Sequence, residues 1–64
     1  MGMFSVKITF DRKNPVTKRL EQDTVREGIL EAKDAPAAKT QYLKQFKKNE
    51  PHRRRVKSVV VHTA

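Results

Sequence analysis

Residues 3–10, Met-Phe-Ser-Val-Lys-Ile-Thr-Phe, alternate with a period of two. Phe4, Val6, Ile8 and Phe10 fall on one face, and Ser5, Lys7 and Thr9 on the other. Such alternation, carried by β-branched and aromatic side chains, predicts a half-buried strand. Asp11-Arg12-Lys13-Asn14-Pro15 ends it with turn formers and a proline, which has no N–H to give a central ladder.

Residues 16–33 do not phase as one helix. At the helical period Val16 and Leu20 point one way, and Val25 and Ile29 point nearly opposite. The 15–22 stretch still admits a short helical turn, because Pro15 suits a first turn and Lys-Arg-Leu-Glu-Gln are good helix formers. From Thr24 to Lys33 an extended segment is expected. Gly28 costs a helix about 1 kcal/mol relative to alanine, and in a strand it commonly marks a bulge or bend.

Asp34-Ala-Pro-Ala-Ala reads as a helix start, with Asp34 as N-cap and Pro36 in the first turn. Ala38, Tyr42 and Phe46 recur at four-residue spacing with Leu43 beside them, an apolar stripe able to cover a small sheet. Lys47 and Lys48 complement the dipole in the last turn, and Asn49-Glu50-Pro51 stops the helix, which runs over about 35–48. The segment from His52 to Thr63, which ends in a β-branched run from Val56, predicts a third strand. Simple alternation sets Val59 and Val61 on one of its faces and Val56 and Val60 on the other, so its register stays open and both faces call for cover.

Strand, strand, helix, strand is therefore the expected order. A right-handed crossover through the helix places the last strand on the far side of the first. The prediction is an α+β fold (ββαβ) in a single small domain, 1–64. A three-stranded antiparallel sheet of order 2-1-3 has one face covered by the helix. A ribbon-helix-helix dimer, with the first strand inserted in the major groove, competes with it. That architecture needs two helices directly after the strand and leaves the valine-rich C-terminal segment unexplained.

Composition narrows the function. The chain has 64 residues, no cysteine and no tryptophan, so neither disulfides nor Cys-bound zinc supplement a thin core. An enclosed catalytic pocket is not expected at this size, and the chain reads as a non-enzyme that needs no cofactor. The longest apolar run is Val59-Val60-Val61, far short of a membrane span. Neither a secretory signal nor a myristoylation pattern is present, which gives cytoplasmic as the expected location.

The net charge of +8 is unevenly placed. Residues 1–38 carry seven basic and six acidic side chains, whereas residues 39–57 carry eight basic ones against Glu50 alone, a local +7. Scattered charge for solubility does not segregate so strongly. Lys44, Lys47, Lys48, Arg53, Arg54, Arg55 and Lys57 are the candidate binding residues. Lysine offers mobile point charges and arginine a planar fork for phosphate oxygens. The four aromatic side chains are claimed by the core, which leaves no platform for stacking bases.

His52 and His62 lack the spacing and companions of a metal site, and two glycines cannot build a phosphate-cradling loop. The first expectation is thus an accessory protein that contacts the backbone of duplex DNA or structured RNA with low sequence specificity. The second is a modulator or inhibitor of the kind phages encode, docking on an acidic surface of a larger nucleic-acid-handling enzyme. A homodimer is compatible with the thin core and with the valines on both faces of the last strand.

Overall fold

The computed structural model describes residues 2–64 as three strands and one helix in the expected order. They are β1 (Gly2–Lys13), β2 (Leu20–Ala32), α1 (Ala35–Asn49) and β3 (Arg53–Thr63). The sheet order is β2-β1-β3, and β1 is antiparallel to both neighbours. The crossover through α1 carries the chain from one edge to the other over the face of β1. This leaves no room for the ribbon-helix-helix arrangement, which needs two helices.

Directly opposed residues of an antiparallel pair share a face. Val6 opposes Gly28 and Val61, and Ile8 opposes Arg26 and Val59. These rows face α1. Val6, Ile8 and Phe10 are fully buried there with Ala32, Ala38 and Phe46, and Tyr42 and Leu43 pack around them. The Phe10 and Phe46 rings meet edge to face with centroids 4.7 Å apart, a geometry that adds about 1 kcal/mol to their burial. The helix begins as its sequence dictates: the Asp34 carboxylate accepts the Ala37 N–H at 2.9 Å, satisfying one of the free donors of the first turn.

Between β1 and β2 the chain departs from expectation. Residues 15–22 hold one tight turn instead of a helical segment, and β2 starts at Leu20, four residues before Thr24. Asn14 organises the turn: its side-chain oxygen accepts the N–H groups of Val16 at 2.8 Å and Thr17 at 3.1 Å. Its backbone closes the hairpin, donating to the Arg19 carbonyl and accepting from the Lys18 N–H, both at 2.9 Å. These local bonds outcompete a helix too short to nucleate.

Bulges reset the alternation of both outer strands. Phe10 pairs with Thr24 but Arg12 with Glu21, so β2 holds one extra residue, and Asp23 turns the corner at φ 55°. On β3, Thr9 pairs with Ser58 and Phe10 with Val56, which leaves Lys57 as the extra residue. The bulge resolves the register of β3: Val56, Val59 and Val61 lie on the helix side, and Val60 alone of the β3 valines lies on the opposite, uncovered face. Gly28 is no bulge. It pairs regularly with Val6, and the Tyr42 ring lies directly over its backbone.

Candidate polyanion-binding pole

Antiparallel pairing brings the β1–β2 turn and the α1–β3 connection to one end of the sheet. The Lys13 N–H donates to the His52 carbonyl at 3.0 Å, and Arg12 stands opposite Arg53. A cleft of about 260 Å³ opens between the two segments, lined by Lys13, Asn14, Pro15, Lys18, Pro51, His52, Arg53 and Arg54. Lys47 and Lys48 in the last turn of α1 adjoin this end through the Glu50–Arg53 turn. The pole thus gathers cations from both halves of the chain.

The residues singled out from sequence separate into groups. Arg54 and Arg55 are exposed, and Arg54 is the extra residue between the Arg12–Arg53 and Asp11–Arg55 pairs, out of ladder register at the mouth of the cleft. Lys44 lies on the outward face of α1 in a shallow groove with Gln41, Gln45 and Lys48, one stripe of the exposed helix surface. Arg53 is engaged within the fold. Its guanidinium donates to the carbonyls of Lys47 and Glu50, both at 3.0 Å, closing the C-terminal end of α1.

Lys57 is drawn away from the pole. Its ammonium lies 2.8 Å from the Asp23 carboxylate and 3.4 Å from that of Asp11, tying both outer strands to β1 at the two bulges. Asp11 also accepts the Asp23 N–H at 3.3 Å. Glu50, the lone acid of the 39–57 window, is buried and ion-paired with Arg26 and Arg12. Arg12 further meets Glu21 at 3.2 Å. Among the described residues, Lys13, Lys18, Arg19, Lys47, Lys48, Arg54 and Arg55 have no carboxylate partner.

Sequence reading missed Lys13, Lys18 and Arg19, which lie in the nearly neutral N-terminal part of the chain. The missing information is the pairing of β1 with β3, which carries the β1–β2 turn to the arginine loop. The helix did hold a readable sign: α1 has four lysines and no acid along its length. Exposed helices built for solubility alone usually interleave both signs.

Two side chains titrate above their ordinary range. Desolvation pushes the Tyr42 phenol up, opposed by Arg26 and assisted by Glu27, and the hydrogen bond to Asp23 leads the causes that raise Lys57. Both groups therefore keep a proton in the native state that the unfolded chain releases. Their stabilisation is complete below pH 10 and is lost as pH rises through the folded values. Because Tyr42 is the sole tyrosine, phenolate absorbance reads it directly. The native midpoint should lie above 10.0, the unfolded one at 10.0, and the urea midpoint should fall beyond that pH. A native midpoint at or below the unfolded one would refute the burial account.

Among the described residues no group of three or more His, Asp or Glu side chains is placed to hold a metal ion, and no helix is long and apolar enough to cross a membrane. No family model, curated protein or solved structure matches this chain.

Proposed function

We propose that this protein binds the phosphate backbone of duplex DNA or structured RNA through the basic pole, with little sequence preference. The observation that carries the reading is the cleft that sets Lys13 and Lys18 of the β1–β2 turn beside Arg54, with Arg19, Lys47, Lys48 and Arg55 in the segments that run into this end of the sheet. Glu21, Glu50, Asp11 and Asp23 are engaged by Arg12, Arg26 and Lys57 and leave these cations unanswered. An uncompensated cluster raises self-repulsion and contributes nothing to packing, so a polyanionic partner accounts for it. Mobile lysines on the turn and helix can follow a curved backbone, and Arg54 can grip phosphate oxygens with its fork. Phe10 and Phe46 are buried, so base stacking adds nothing at this site.

A salt titration with random duplexes tests this. If about five phosphates are neutralised, log affinity should fall against log salt with a slope of roughly −4 to −5. Lys18→Ser and Arg54→Ser should each lower the slope magnitude by about 1, at every sequence tried. Lys57→Ser, whose charge already answers Asp11 and Asp23, should change it far less. Absence of binding at low salt would overturn the reading and leave the acidic surface of a larger protein as the partner of the pole.

A further inference from the structure

We infer that the uncovered face of the sheet is the interface of a homodimer, formed by stacking on a second copy with the two-fold axis parallel to the strands between β1 and β2. This face carries Met3, Ser5, Lys7 and Thr9 from β1, Val25, Glu27, Ile29 and Glu31 from β2, and Ser58, Val60 and His62 from β3, opposite the face that packs on α1. Large apolar side chains are left in water on it: Ile29 is 66% exposed, Val25 51%, Met3 44% and Val60 39%. Val25 and Ile29 flank Glu27 along β2, Met3 lies on the diagonal from Ile29, and Val60 stands across Lys7 on β3.

Charge identifies the occupant. Lys7 on β1 directly opposes Glu27 on β2. A two-fold axis running along the strands midway between them lays each Lys7 over the partner's Glu27 and each Glu27 over the partner's Lys7. The pair is thus self-complementary, as an isologous interface requires. The same rotation brings Ile29 and Val25 against the partner's β1. An axis across the strands would set the acidic β2 rows of Glu27 and Glu31 upon each other instead.

The contact is small. On this axis β1 and β2 overlap the partner's β2 and β1 while β3 lies outside, so two strands about 4.8 Å apart with rows about 35 Å long offer a footprint of about 340 Å² per copy. The total of about 700 Å² belongs to weak, transient association, so dissociation in the high-micromolar range is expected. Aligned sheets pack about 10 Å apart, enough for the Ile29 and Val25 side chains to fill. The arrangement also keeps both basic poles at the same end of the dimer, although the inference stands independently of what the poles bind.

Sedimentation equilibrium of the full chain tests it at near-physiological salt, without nucleic acid. The wild type should dimerise at high micromolar concentration. Ile29→Lys should weaken the dimer at least about tenfold, because the new charge must be desolvated without a partner. Lys7→Glu and Glu27→Lys should each weaken it similarly through like-charge contact, and the double swap should restore it. Unchanged circular dichroism controls for the fold, as all three positions are exposed. A wild type that stays monomeric at millimolar concentration would overturn the inference and leave the face to a different molecule. A dimer indifferent to Ile29→Lys, or one that the double swap fails to restore, would place the contact elsewhere.

Discussion

Gly28→Ala should lower the unfolding free energy by about 1–2 kcal/mol, although alanine is ordinarily the better residue in a strand. A methyl group built on Gly28 would lie 2.7 Å from Tyr42 Cε1, 2.9 Å from its hydroxyl oxygen and 3.1 Å from Cζ. Something must shift, and the Tyr42 ring is the part that can. Swinging it off the strand uncovers Val6, which it helps to seal, and admits water to the phenol. The sign should reverse when the ring is gone: in a Tyr42→Ala background, Gly28→Ala should be neutral or stabilise by up to about 0.5–1 kcal/mol. The coupling in this double-mutant cycle should approach about 2 kcal/mol. Urea melts of the four proteins measure it, and the phenol supplies a second readout. In the Gly28→Ala protein its raised pKa should return toward 10.0. A cycle with no coupling would show that the glycine serves only backbone freedom.

Gly28 also shows how far local patterns reach. A glycine in a strand reads equally as a bulge, a bend or a site of close approach. Only the partner above it decides, and Tyr42 is 14 residues further on, in a different element. β1 and α1 were legible because each carries a full amphipathic period with clear ends: Phe4 to Phe10 in one, Asp34 and the Ala38–Phe46 stripe in the other. β2 and β3 were harder because one extra residue, Asp23 or Lys57, flips every side chain beyond it to the opposite face. Such bulges leave little trace in composition. Asp23 tolerates its left-handed backbone as few residues do, but many aspartates sit in ordinary strands.

The basic site was half legible for a related reason. Charge density along the chain singled out Arg54, which lines the cleft, and Lys47 and Lys48, which lie in the last turn of α1 near it. It could not show that Arg53 would close the helix end or that Lys57 would be held by two aspartates from other strands. Nor could it show that the Lys13–Arg19 turn would arrive beside them. The last two facts are long-range consequences of the 2-1-3 order, whereas the Arg53 contacts come from the tight turn after α1. The order itself was deducible, so placing the hairpin turn beside the arginine loop was one step beyond what periodicity alone provides.

Glu50→Ala is the second substitution with a large expected effect, about 2 kcal/mol of destabilisation. The Glu50 side chain is only 7% exposed, and it joins the end of α1 to β1 through Arg12 and to β2 through Arg26. Removing one member of a wholly buried ion pair costs about 3–5 kcal/mol, because the other charge is stranded. Here the stranded groups are half-exposed: Arg12 is 33% and Arg26 47% accessible, so water recovers part of the loss. The loss should persist in molar salt, since screening ions do not reach a buried carboxylate, whereas the effect of Lys57→Met on the exposed Asp23 pair should fade. Stability and binding should then part company. Glu50→Gln removes an acid next to the pole, so its affinity for duplex at low salt should hold or rise while its urea midpoint falls. A parallel drop in both would mean that Glu50 positions the cations of Lys47, Lys48 and Arg54, and that the pole depends on the rigidity of the helix end as well as on its charge.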